Sequence, residues 1–148
     1  MPGLSVVRSI SAAPETVWAV FTDLKESAER LSAVNAVEVF TDGPFGVGTR
    51  WRETRTMFGR EATEDMEITA VDPGRSYTAE AASHGSHYTS RFDFTPTEAG
   101  TDVTFAFTGE SHGVMRVVGA VVWPMLKGKM TKELRRDLDE LAVYCERS

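Results

Sequence analysis

After Gly113 the chain carries a helical pattern to its end, and that stretch constrains the fold more than any other. Leu126, Met130, Leu134, Leu138, Leu141 and Cys145 step by three or four residues and form one apolar stripe. Lys127, Lys129, Lys132, Arg135 and Arg136 lie largely off it, as the solvated face of an amphipathic helix does. Pro124 is expected to kink or divide this helix. From Val37 to about Glu110 the pattern is instead strands separated by the turn signals DGPFGVG, FG, DPG, HGS and TEAG. Residues 4–11 read as a first strand. Pro14 and Glu15 then open a helix bearing Val17, Trp18, Phe21 and Leu24, and a second short helix fits residues 26–33. The order is strand, two short helices, about six antiparallel strands and one long helix. A sheet with one apolar face needs a cover, and the last helix can supply it.

The two tightest turns fix an expected register. With Phe58–Gly59 as a two-residue turn, Trp51 faces Met66, Glu53 faces Glu64 and Arg55 faces Ala62. The opposite face then pairs Arg52 with Asp65 and Arg50 with Glu67, two complementary cross-strand pairs. Treating Gly85–Ser86 as the next two-residue turn sets Ser83 against Tyr88, Ala81 against Ser90, Ala79 against Phe92, Tyr77 against Phe94 and Glu80 against Arg91. Tyr77, Phe92 and Phe94 mark the inner face, so His84 and His87, of opposite parity, point outward. The expected inner rows are Thr49, Ile68, Ala79, Phe92 and Phe105; then Trp51, Met66, Ala81, Ser90 and Phe107; then Glu53, Glu64, Ser83 and Tyr88, with Arg55 alongside. This holds if no β-bulge intervenes.

Two chemical readings follow. Ala79, Ala81 and Ser90 are small residues amid aromatics, which on a curved sheet beneath a helix leaves room for an apolar cavity with a few polar groups. In the competing reading Trp123, Met125 or Leu126 fills that room. Glu53 and Glu64, opposed on an inward face, repel one another and should raise at least one pKa unless Arg55 or water compensates. Such a pair suits general acid–base work or a polar ligand group; at an open, solvated mouth it would do nothing.

Other functions find less support. The formal net charge of −6 argues against a phosphate-tracking surface, so no nucleic acid is expected. One cysteine excludes an internal disulfide and a cysteine-rich zinc site. His84 and His87 with Glu110 lack a third strong ligand, so no metal and no cofactor is expected. The apolar run Val117–Leu126 is too short to span a bilayer, and no secretory signal opens the chain, so a cytoplasmic protein without stable membrane insertion is expected. Ser111 is placed to cap the last helix, with His112 a loop or capping residue. GPFGVG lacks the Lys-Ser/Thr ending of a phosphate loop. One domain over residues 1–148 is expected, and a homodimer is compatible with the sequence.

The segments SAAPETVWAVFTDL, GVGTRW, ITAVDPGRSYT, FDFTPTEAGTDVTF and ELRRDLDELAVYCE, in that order, resemble the START-like (SRPBCC) superfamily, in its polyketide cyclase/dehydrase and lipid-transport branch. The resemblance spans nearly the whole chain. It implies an α+β helix-grip: a curved antiparallel sheet of about seven strands around a long C-terminal helix, enclosing a hydrophobic pocket. That family has no universal catalytic motif to carry over, so the candidate residues come from the register alone. Trp51, Met66, Tyr77, Phe92, Phe105 and Phe107 are the expected apolar lining, with Tyr88, Ser83 and Ser90 beside them. Arg55, Glu53 and Glu64 are expected near the polar mouth, the two glutamates as candidate acid–base groups. The leading expectation is binding of a hydrophobic, aromatic polyketide-like or lipid-like molecule. The alternatives are a polyketide cyclase or dehydratase using Glu53 or Glu64, and an interaction protein with a filled cavity.

Overall fold

A computed structural model describes residues 3–83 and 86–147. The elements run β1 (Gly3–Ile10), α1 (Pro14–Phe21), α2 (Ser27–Arg30), β2 (Val34–Val39), β3 (Arg50–Met57), β4 (Arg60–Asp72), β5 (Ser76–Ser83), β6 (Ser86–Thr97), β7 (Gly100–Ser111) and α3 (Val114–Arg147), with one 3-10 turn at Leu24–Glu26. The seven strands form one antiparallel sheet in the order β1-β7-β6-β5-β4-β3-β2. This is the helix-grip architecture that the family resemblance implies. β1 and β2 occupy opposite edges, so the chain between them must cross the end of the sheet, and α1 and α2 make that crossing.

The turn between β3 and β4 is the expected one. Phe58 and Gly59 have φ of 54° and 77°, the pair of positive values that a type I′ hairpin turn requires. Trp51 faces Met66, Glu53 faces Glu64 and Arg55 faces Ala62, while Arg52 holds Asp65 in a bidentate pair at 2.8 and 3.2 Å on the outer face. The β5–β6 register differs from expectation by two residues. Ser83 pairs with Ser86, Ala81 with Tyr88, Ala79 with Ser90 and Tyr77 with Phe92. The anticipated Glu80–Arg91 pair does not form: Glu80 meets His87 at 2.6 Å, and Arg91 forks onto Asp93 of its own strand at 2.9 Å. Each charge had a second hydrogen-bonding partner within reach, so complementarity could not fix the register. A slip of two leaves every side chain on its expected face. His87 therefore does lie on the outer face with Glu80; His84 and the Ser83 side chain lie outside those described.

A bulge interrupts β4 between Ile68 and Ala70, and another interrupts β2 between Val34 and Ala36. The first falls just beyond the rows that bear the candidate residues, so their parity survives. The inner rows are Trp51, Met66, Ala81, Tyr88 and Gly109, then Ile68, Ala79, Ser90, Phe107 and Leu4, then Tyr77, Phe92, Phe105 and Val6.

The core lies toward the C-terminal half of α3. Leu134, Leu138, Ala142 and Cys145 are buried against Val6, Ile10, Val17, Phe21, Val103 and Ile68. Trp18 of α1 meets Phe94 edge-on at 5.4 Å and Tyr77 at 5.8 Å, in the geometry that aromatic quadrupoles favour. Glu146 and Glu140 accept the backbone N–H groups of Ser11 and Ser32, tying the helix to the loops beside α1 and α2. α3 runs continuously through Pro124, so the expected division does not occur. Ser111 is no cap: it ends β7, three residues before the helix start at Val114, and shares a 2.8 Å hydrogen bond with Ser86. Among the described residues no helix is long and apolar enough to cross a membrane.

Gly100 takes φ of 153°, and a Cβ there would sit 2.2 Å from the Ile10 carbonyl oxygen and 2.8 Å from the Ala12 nitrogen. The neighbouring Thr101, fully buried, donates to the Ala12 carbonyl at 2.9 Å, so that loop cannot retreat. Gly100→Ala is expected to lower stability by about 1–3 kcal/mol in urea unfolding. Gly46→Ala, with nothing within 4 Å of its Cβ, should stay within about 0.5 kcal/mol of the parent. Equal midpoints for the two variants would contradict the close approach.

Candidate functional site: a cavity between sheet and helix

Between the inner face of the sheet and α3 lies a cavity of about 500 Å³. Its cause is visible along the helix. One face of the C-terminal half of α3 is buried from Leu134 onward, but among the described residues of the helix before Leu134 none is buried, and the cavity-lining Val118 is 43% exposed. There the helix stands off the sheet, and the small residues Ala79, Ala81 and Ser90 leave the gap open. Trp123, Leu126 and Met130 line the gap from above without filling it, and Met125 points to solvent. The filled-core alternative is thereby overturned. Val20, Phe21, Leu24 and Leu31 from the α1–α2 crossing complete the wall. The lining also includes Phe58 and Val118, each 43% exposed, where the cavity approaches the surface.

The aromatic wall is ordered by stacking. Tyr77 lies on Phe92 at 4.8 Å, Phe92 contacts Phe105 at 4.1 Å, and Tyr88 stacks on Phe107 at 5.8 Å. Burial, with a smaller push from Glu53, raises the Tyr77 phenol well above its ordinary value, so its proton stays on.

The main break in this apolar lining is an ionic cluster around Arg55; Arg30 and Asp23, paired at 3.4 Å, also lie on the wall. Arg55 donates from Nε to Glu53 Oε2 at 3.0 Å and from Nη1 to Asp137 Oδ2 at 3.1 Å. The three side chains are only 16%, 19% and 9% exposed for Arg55, Glu53 and Asp137. Burial would lower the Arg55 pKa, but the two carboxylates outweigh it and raise it. Asp137 goes the other way: burial pushes its carboxyl up to about 6, against the pull of Arg55, with Glu53 and Glu140 adding to the rise. Asp137 Oδ1 is buried and has no hydrogen-bond partner among the described residues. Another polar point is the Ser86–Ser111 hydroxyl pair, which also lines the cavity.

Trp51, Met66, Tyr77, Ser90, Phe92, Phe105 and Phe107 lie on the wall, as do Tyr88, Arg55, Glu53 and Glu64. Tyr88 sits one row from its expected place, beside Ala81 and not level with the glutamates. The compensation anticipated for Glu53 exists, through Arg55. The raised carboxyl belongs to Asp137, which sequence reasoning passed over. A signal for it was present: Asp137 falls seven residues after Met130 and four before Leu141, an acid set inside the apolar stripe. Ser86 and Ser111 were missed because one was placed in a turn and the other at a helix cap. Among the described residues no three of His, Cys, Asp and Glu gather where a metal ion could be held.

A family model described as polyketide cyclase / dehydrase and lipid transport matches residues 1–146. No curated protein matches the chain in sequence. Among solved structures, one from Thermus thermophilus is similar with a TM-score of 0.81 and 22% identity, over 97% of each chain. A START superfamily protein from Mycobacterium smegmatis gives 0.81 and 13%, over 98% of this chain and 97% of that one. The Zhui aromatase/cyclase from a Streptomyces species gives 0.78 and 17%, over 99% and 94%. At these identities the likeness is one of fold.

The Asp137 titration has a thermodynamic consequence. Its folded pKa of about 6 lies above the ordinary 3.8, so the folded state holds this proton more tightly than the unfolded chain. The stabilisation is full below the unfolded value and is lost as pH rises through the folded one. Relative to Asp137→Asn, the parent should therefore lose on the order of 3 kcal/mol between pH 4 and pH 7. Urea unfolding of both proteins across that range measures the difference; a constant gap would show that Asp137 titrates normally.

Proposed function

The chain belongs to the polyketide cyclase / dehydrase and lipid transport family, and we propose that it binds a hydrophobic small molecule in the cavity between sheet and helix. The observation that carries this reading is the open space itself. A volume of about 500 Å³ walled mainly by aromatic and aliphatic side chains, with a few ion-paired groups and one hydroxyl pair, has the anatomy of a small-molecule site. Leaving it empty would forfeit dispersion contacts along the whole wall, which a ligand of matching shape restores. Trp51, Met66, Tyr77, Phe92, Phe105 and Phe107 supply flat apolar surface suited to an aromatic or polycyclic body. Tyr88 and Ser90 add hydroxyls, and Arg55 with Glu53 and Asp137 forms a fixed polar end. Ser83, expected beside them, has no part in this reading.

A second reading, cyclisation or dehydration of a polyketide-like chain, is favoured by one observation: a buried carboxyl that titrates near 6 on the wall of a substrate-sized cavity. Asp137 then moves a proton beside a carbonyl, while the bond from Arg55 Nη1 holds that carboxyl in position. Glu53, ion-paired with Arg55, orients the guanidinium; Glu64, across the strand from it, is the other candidate base.

Native mass spectrometry of the purified protein tests the first reading directly: a retained hydrophobic ligand is expected. Ala81→Phe should fill the cavity floor, keep the cooperative unfolding transition, and reduce binding of an apolar fluorescent probe at least tenfold. If the filled variant binds as well as the parent, the ligand does not sit there. For the second reading, Asp137→Asn should lower turnover of a polyketide-like substrate about 100-fold, within the range for loss of a general acid or base. Unchanged turnover in Asp137→Asn, Glu53→Gln and Glu64→Gln would remove acid–base catalysis by this cluster.

A further inference from the structure

The charges around the cavity do not balance. Leaving Glu64 aside, three carboxyl groups line it, from Asp23, Glu53 and Asp137, against two guanidinium groups, from Arg30 and Arg55. Neither cation is uncommitted. Arg55 is held between Glu53 and Asp137 at 3.0 and 3.1 Å. Arg30 donates to the Val20 carbonyl at 3.3 Å, pairs with Asp23 at 3.4 Å, and lies 5.4 Å from the centre of the Tyr144 ring. Asp137 is itself under-compensated, because only Oδ2 receives a hydrogen bond while Oδ1, also buried, has none among the described residues.

Taking the binding reading above as its basis, we propose that this cavity selects uncharged ligands bearing a hydroxyl and rejects carboxylates of the same shape. A carboxylate entering the cavity meets like charge in a low-dielectric space with no uncommitted guanidinium among the described lining residues to receive it, and it brings only acceptors. A hydroxyl brings a donor to a wall rich in acceptors: the carboxylates, and the paired oxygens of Ser86 and Ser111. An ammonium group would gain attraction from the carboxylates, but it must shed its own hydration in a lining that is otherwise apolar. The selected class is therefore a largely apolar, neutral molecule with at least one hydroxyl, and a free fatty acid or aromatic acid is excluded. This differs from a carrier that anchors an acid headgroup on an arginine: Arg55 has the position for that task, but Glu53 and Asp137 already occupy it.

Four probes with one naphthalene body separate the possibilities: 2-methylnaphthalene, 2-naphthol, 2-naphthoate and 2-naphthylmethylammonium, titrated into the intact protein at neutral pH. Naphthol is expected to bind more tightly than methylnaphthalene, with naphthoate weaker than naphthol by about tenfold or more. Glu53→Gln, which leaves Arg55 with one carboxylate fewer, should raise naphthoate affinity several-fold while leaving methylnaphthalene unchanged. Asp137→Asn provides the same measurement from the helix side should Glu53→Gln fail to fold. Naphthoate binding as tightly as naphthol, or an ammonium probe that outbinds naphthol, overturns the selectivity but leaves the pocket standing. Failure of all four probes overturns the binding reading, and the selectivity with it.

Discussion

The burial of the C-terminal half of α3 is the contact on which the remaining structure depends. Leu134, Leu138, Ala142 and Cys145 close over the inner face of the sheet and fix where the helix lies. A helix is nearly straight and a twisted sheet is not, so a helix seated at one end departs from the sheet at the other. The cavity occupies that divergence. Its floor is set by Ala79, Ala81 and Ser90, too short to bridge the gap.

Asp137 sits where the packed part of the helix gives way to the part that stands off, between buried Leu134 and buried Leu138. Its bond to Arg55 joins helix to sheet at that boundary. Removing one partner of such a pair leaves a charge buried and uncompensated, which is why the cluster ties the geometry of the cavity to its electrostatics. A binding protein uses this link to hold its wall in place. A cyclase would use the same link to keep a proton near the substrate.

Much of the fold was legible in the residues. The Phe58–Gly59 turn and the complementary Arg52–Asp65 pair gave the β3–β4 register residue by residue. Parity around the second hairpin put Tyr77 and Phe92 inside and His87 outside, and it did so despite a register wrong by two, because a shift of two preserves the face. What parity cannot give is position along the strand. Tyr88 therefore sat in the wrong row, and Ser86 was taken for a turn residue. Glu80 and Arg91 misled because each had another partner, His87 and Asp93, that satisfied it equally well.

The sequence by itself determined the order of elements, the faces of the strands and most of the sheet's share of the cavity wall, because alternation and helical period are local properties of the chain. Only the tertiary structure decided that the space would remain open and that Asp137 would meet Arg55 across it. Those outcomes depend on how far α3 stands from the sheet at each turn, a distance set jointly by residues more than eighty positions apart. An aspartate within an apolar stripe can be noticed in the sequence. Whether it meets water, an arginine or an empty cavity is settled only when the helix is laid down.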